Sequence, residues 1–78
     1  MRTPEFWLVE ERCAVLQVNN VTRCFYEFHT LEDARRGYTI IQNLADRHFN
    51  KRVVKPFYPD LVINYLDKKG IKAYFSMG

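Results

Sequence analysis

Four side chains in this sequence could ligate a soft metal or act as a nucleophile with its base: Cys13, Cys24, His29 and His48. Zinc sites draw ligand pairs from Cys-x-x-Cys or His-x-x-x-His spacings, and none of these separations matches. A cysteine nucleophile needs a histidine within hydrogen-bond reach. Here His29 stands at the exit of an expected strand while Cys24 points into the expected core, and His48 reads as a helix-end residue. The three glycines are not grouped into a loop that could cradle phosphate. Glu10, Glu11, Glu27, Asp33 and Asp46 are scattered among basic neighbours, the pattern of surface ion pairs rather than of a paired general acid and base. The expectation is a protein without catalytic residues, bound metal or cofactor.

What remains is recognition chemistry. Turning about 100° per residue from Leu31 places Arg36, Ile40, Asn43 and Arg47 on one stripe of a helix, away from its apolar face. An isoleucine flanked by arginines has the composition of an interface hot region. The competing view is structural: Ile40 would lie under the C-terminal segment or under arginine stems. A second candidate is the basic run Arg47, Lys51, Arg52 and Lys55, joined by Lys68, Lys69 and Lys72 if the C-terminus folds back. It suits phosphate or an acidic protein surface, and the interleaved Phe49, Phe57 and Tyr58 would add stacking rings. Its structural counterpart is equally concrete, because Arg47 near a helix C-terminus complements the dipole and lysines on an edge strand discourage aggregation.

Length and composition bound the elements that position these residues. A chain of 78 residues makes one domain over 1–78, burying about 60% of the surface its unfolded form exposes. With 47% hydrophobic and 27% charged residues it is globular rather than disordered. Six Phe, five Tyr and one Trp favour a small core built from rings. Net charge is +3, the wrong sign for a carboxylate mimic of DNA and too mild to demand nucleic acid. No run approaches the roughly 20 apolar residues of a membrane span, and no secretory signal opens the chain, so a soluble cytoplasmic protein is expected.

Phe6–Glu10, Cys13–Val18 and Val21–Phe28 read as a three-stranded antiparallel meander. A two-residue turn at Asn19-Asn20 would set Val15 opposite Cys24 and Cys13 opposite Tyr26. Cys13, Val15, Cys24, Tyr26 and Phe28 then share the core face, and the diagonal cysteines stay reduced. Thr30 caps a long helix with Glu32 and Asp33 in its first turn. Leu31, Ala34, Tyr38, Ile41, Ala45 and His48 form the stripe that packs on the sheet. Gly37 within that helix costs roughly 1 kcal/mol relative to alanine, which points to a strand aromatic pressed against it.

A short edge strand is expected around Arg52–Lys55. For the C-terminus a hairpin of 61–66 with 71–77 across Asp67-Lys68-Lys69-Gly70 is preferred, because Val62-Ile63-Asn64-Tyr65 has poor helix propensity. The alternative is a helix over 60–69 closed by Gly70, with Leu66 touching Ile71, followed by a strand. Either way the class is α+β. The function expected is a non-catalytic protein-binding module, an inhibitor or regulator of a larger complex, of a size common among phage and mobile-element products. The alternative is a basic nucleic-acid-binding accessory protein. A homodimer through an edge strand or the helix face is also compatible with these elements.

Overall fold

The alternating apolar residues of the N-terminal third pair as an antiparallel meander in a computed structural model that describes residues 4–19, 22–50 and 57–77. Strands β1 (Glu5–Val9), β2 (Ala14–Asn19) and β3 (Thr22–Phe28) are followed by helices α1 (Leu31–Asn50) and α2 (Pro59–Lys68) and a last strand, β4 (Ala73–Met77). All four strands form one antiparallel sheet in the order β1-β2-β3-β4. The helices cover one face of it.

Two details of the meander differ from the sequence expectation. Asn19 extends β2 and pairs with Thr22, so Val15 lies opposite Tyr26, and Gln17 opposite Cys24. Val15 therefore finds its partner two residues along β3 from the expected one. Side chains alternate with period two, so the same face stays inward, and Val15, Cys24, Tyr26 and Phe28 are all buried. Cys13 departs from the expected strand. It ends a single 3₁₀ turn, Glu10–Arg12, in the left-handed region at φ 50°, and is only half-buried. Its thiol and that of Cys24 are free.

Helix α1 forms where its capping signals place it. The Thr30 hydroxyl accepts the Asp33 N–H at 3.1 Å, satisfying one of the donors that a helix start leaves unpaired. Ala34, Gly37, Ile41 and Ala45 form the buried stripe, with Leu31, Tyr38 and His48 at its margins. Gly37 is where Phe28 reaches the helix: a Cβ there would overlap the Cζ and Cε2 atoms of that ring.

The C-terminal hairpin does not form, and the alternative helix does. Pro59 occupies the first turn of α2, where its missing N–H costs nothing, and Asp60 sits beside it. Val62 and Leu66, four apart, are fully buried, and this burial outweighs the poor helix propensity of the run between them. At the other end Gly70, at φ +80°, donates to the Asp67 carbonyl at 3.0 Å, and Ile71 donates to the Leu66 carbonyl at 3.0 Å. These are the two bonds of a Schellman motif, with Leu66 and Ile71 as its buried apolar pair. The chain then turns into β4, which pairs with β3 through Tyr26↔Phe75 and its neighbours. The strand expected around Arg52–Lys55 lies outside the described residues.

Candidate partner-binding groove

Helix α1 presents Ile40, Asn43 and Arg47 at spacings of three and four, and α2 presents Tyr65 with Lys69 at its C-cap, again four apart. Where the helices meet, these side chains and Asp46 line an open groove of about 470 Å³. Ile40 is half-buried against the core, so it forms an apolar floor rather than a projecting knob.

The cations of the groove converge on one phenol. Arg47 Nη2 donates a hydrogen bond to Tyr65 Oη, and the guanidinium carbon stands 5.3 Å from the ring centroid. Lys69 Nζ lies 5.4 Å from the same centroid, within the range of cation–π attraction. The hydrogen bond from Arg47 is the main cause of a lowered Tyr65 pKa; burial opposes it, and the charges of Arg47 and Lys69 add to it. Among the described residues neither cation has a carboxylate partner, since the ion pairs there are Arg12–Glu27 at 2.8 Å and Arg35–Glu10 at 3.2 Å. Asp46, in the same wall, likewise has no salt bridge among the described residues. A tyrosine ring, an apolar floor and two cations with no salt bridge among the described residues are therefore offered together, with one carboxylate, Asp46, in the wall.

Of the expected helix stripe, Ile40, Asn43 and Arg47 meet in the groove, whereas Arg36 is exposed on α1 and does not line it. The described residues of the basic run lie in different places. Lys69 enters the groove, Lys68 is exposed at the end of α2, and Lys72 lines a separate cleft with Asp67 and Tyr74. Lys51, Arg52 and Lys55 lie outside the described residues. Two of the three rings of that run pack on each other and on neighbouring rings. Phe57 meets Phe49 at 5.9 Å, His48 at 5.3 Å and Phe6 at 6.2 Å between centroids, leaving Tyr58 exposed.

Tyr65 and Asp46 are the groove residues that sequence reasoning missed. The preferred hairpin puts Tyr65 in a strand, although on the helical alternative its spacing from Lys69 puts both on one face. The soft ligands do not converge: His29 packs edge-on against Tyr74, and Cys24 lies in the core, where burial raises its thiol pKa. Among the described residues no three His, Cys, Asp or Glu side chains are placed to hold a metal ion, and no helix is long and apolar enough to cross a membrane. Comparison of the chain with protein-family models, with curated proteins and with solved structures finds no match.

Proposed function

We propose that this chain is a non-catalytic binding module whose α1/α2 groove receives an acidic segment of a protein partner, so that it acts as an inhibitor or regulator of a larger complex. The observation that carries this is the convergence of Arg47 and Lys69 on Tyr65 over the Ile40 floor, with neither cation in a salt bridge among the described residues. A partner carboxylate would take Arg47 in a charge-assisted hydrogen bond, the apolar part of its chain would lie on Ile40, and Asn43 would meet its backbone. Two free thiols, one of them in the core, support a reducing compartment such as the cytoplasm.

The second reading is nucleic-acid binding through the same cations. Asp46 in the groove wall disfavours it, because a phosphate backbone would meet a carboxylate within the site, whereas a protein surface of mixed charge can pair with it. The two are separated by anisotropy titrations of a glutamate-rich peptide carrying one aromatic residue, and of random single- and double-stranded oligonucleotides, at two salt concentrations. Arg47→Glu combined with Lys69→Glu is expected to weaken peptide binding by about tenfold or more, a loss of ~1.4 kcal/mol or more, while stability changes by only about 0.5 kcal/mol. Oligonucleotide binding that is tighter than peptide binding and falls steeply with salt would overturn the proposal in favour of the second reading. Absence of peptide binding would overturn it outright.

A further inference from the structure

The two edges of the sheet are built differently. Pro4, without an N–H, precedes β1, whose first residue is the exposed Glu5, and the exposed Glu10 and Glu11 follow its end. Charges and prolines of this kind blunt an edge against further pairing. Strand β4 is guarded less: the exposed Lys72 stands before it, but nothing of the kind lies within it. Ala73–Met77 contains no charge and no proline, runs in unbroken register with β3, and exposes Tyr74 (62%), Phe75 (41%) and Met77 (61%).

Hydrogen-bond parity decides which backbone groups this edge leaves open. The Phe28 N–H donates to the Cys13 carbonyl at 2.9 Å, so even-numbered residues of β3 turn their backbone polar groups toward β2 and odd-numbered ones toward β4. Phe25↔Ser76 and Glu27↔Tyr74 are consequently the bonded pairs of the β3–β4 ladder, while Phe28↔Ala73, Tyr26↔Phe75 and Cys24↔Met77 are the narrow, unbonded ones. In β4 it follows that Ala73, Phe75 and Met77 direct N–H and C=O away from the sheet. Strand β4 stands at the edge of the sheet, so among the described residues these groups face no further strand.

We propose that two copies of the chain join β4 to β4 in antiparallel fashion about a twofold axis at Phe75, making one continuous eight-stranded sheet. The occupant is a second copy because the edge is complementary to itself. Centred on Phe75, the pairing sets Phe75 against Phe75 of the second copy, and Ala73 against Met77 of the second copy. Every residue with outward backbone groups then meets another of the same kind in a bonded pair. The smallest side chain of the strand faces its long, flexible methionine, and Tyr74 meets Ser76 of the second copy on the opposite face. Along the chain the nearest charge is Lys72, which lies before the ladder and which the two copies carry at opposite ends, while the carboxylate of Glu27, 3.4 Å from Ser76, belongs to β3, one strand inside the seam in each copy, so no like charges oppose. Five paired residues give a contact below the ~800 Å² per partner of a standard interface, which makes the dimer dependent on concentration. The surface involved is not the α1/α2 groove, so the groove proposal and this one fail independently.

Sedimentation velocity of the full chain over a wide concentration range tests it. The expected result is a monomer that passes to a dimer and no further as concentration rises. Phe75→Pro, which removes an outward N–H without touching the β3 ladder, and Met77→Lys, which adds a charge to the edge, are both expected to remain monomeric with unchanged far-ultraviolet circular dichroism. Should Phe75→Pro fail to fold, Met77→Lys carries the test alone. The register has its own check. Residues facing each other in a bonded antiparallel pair have Cα atoms about 5.5 Å apart, within disulfide range, so Phe75→Cys is expected to cross-link between copies on oxidation, and Tyr74→Cys no more than the unmodified chain does. A wild-type monomer at every concentration, growth beyond the dimer, or an undiminished dimer in the folded variants would overturn the proposal.

Discussion

Tyr26 and Tyr65 are the same residue in opposite surroundings, and the contrast separates the part of this molecule that holds it together from the part available to a partner. Tyr26 is fully buried in the sheet, and its hydroxyl donates to the Gln17 side-chain oxygen. Burial, with Cys24 beside it, pushes its pKa well above the ordinary phenol range. Tyr65 lies between Arg47 and Lys69 at the helix groove, and its pKa is lowered. In the core a polar atom is tolerated because its partner is internal. In the groove, among the described residues, Arg47 and Lys69 form no salt bridge although Asp46 shares the wall, which leaves them open to an incoming acidic group.

The largest effects belong on the core side of this comparison. Gly37→Leu forces a side chain into the space occupied by the Phe28 ring, and is expected to lower stability by about 3 kcal/mol in urea denaturation. An unchanged midpoint would show that Phe28 swings away freely and that the helix–sheet contact is loose. Tyr26→Phe removes the partner of the buried Gln17 amide, at an expected cost of about 1–3 kcal/mol.

The same variant has a pH signature. Because the folded-state pKa of Tyr26 lies above its unfolded value of about 10, the unfolded chain releases that proton first as pH rises. Its contribution is thus fully present below about pH 10 and is lost above it. Stability of the wild type is expected to fall more steeply with pH on this alkaline limb than that of Tyr26→Phe. Parallel slopes would place the phenol in water rather than in the core.

Legibility in the sequence divides along similar lines. Helix α1 was readable because its signals are local: a threonine cap, an apolar stripe at helical spacing and a glycine whose cost demanded a close neighbour. The meander was readable as a pattern of faces but not as a register, since Asn19 can either enter the turn or extend the strand, and both choices keep Val15 inward. Helix α2 is hard to see in the sequence, which favours a hairpin there, because Val62-Ile63-Asn64-Tyr65 prefers extended structure locally. Its stability comes instead from Val62 and Leu66 packing into a core that composition does not reveal. The Schellman pairing of Leu66 with Ile71 across Gly70 was the signal to weigh more heavily.

The groove depends on the same element: Arg47 and Ile40 are legible from α1 alone, but Tyr65 joins them only because α2 is a helix. Gln17 escaped notice for a related reason, as a polar residue on the inward face is legible only when Tyr26 is seen to reach it.

The smallest effect, and the most direct test of the groove, is the titration of the Tyr65 phenol by nuclear magnetic resonance, in the free protein and with the glutamate-rich peptide added. In the free protein Tyr65 should ionise below the ordinary phenol range, and Arg47→Ala should raise its pKa. Added peptide should raise it too, by compensating the two cations. A Tyr65 that titrates at the ordinary value, or whose titration the peptide leaves unmoved, would contradict the assignment of Arg47 and Lys69 to an acidic partner.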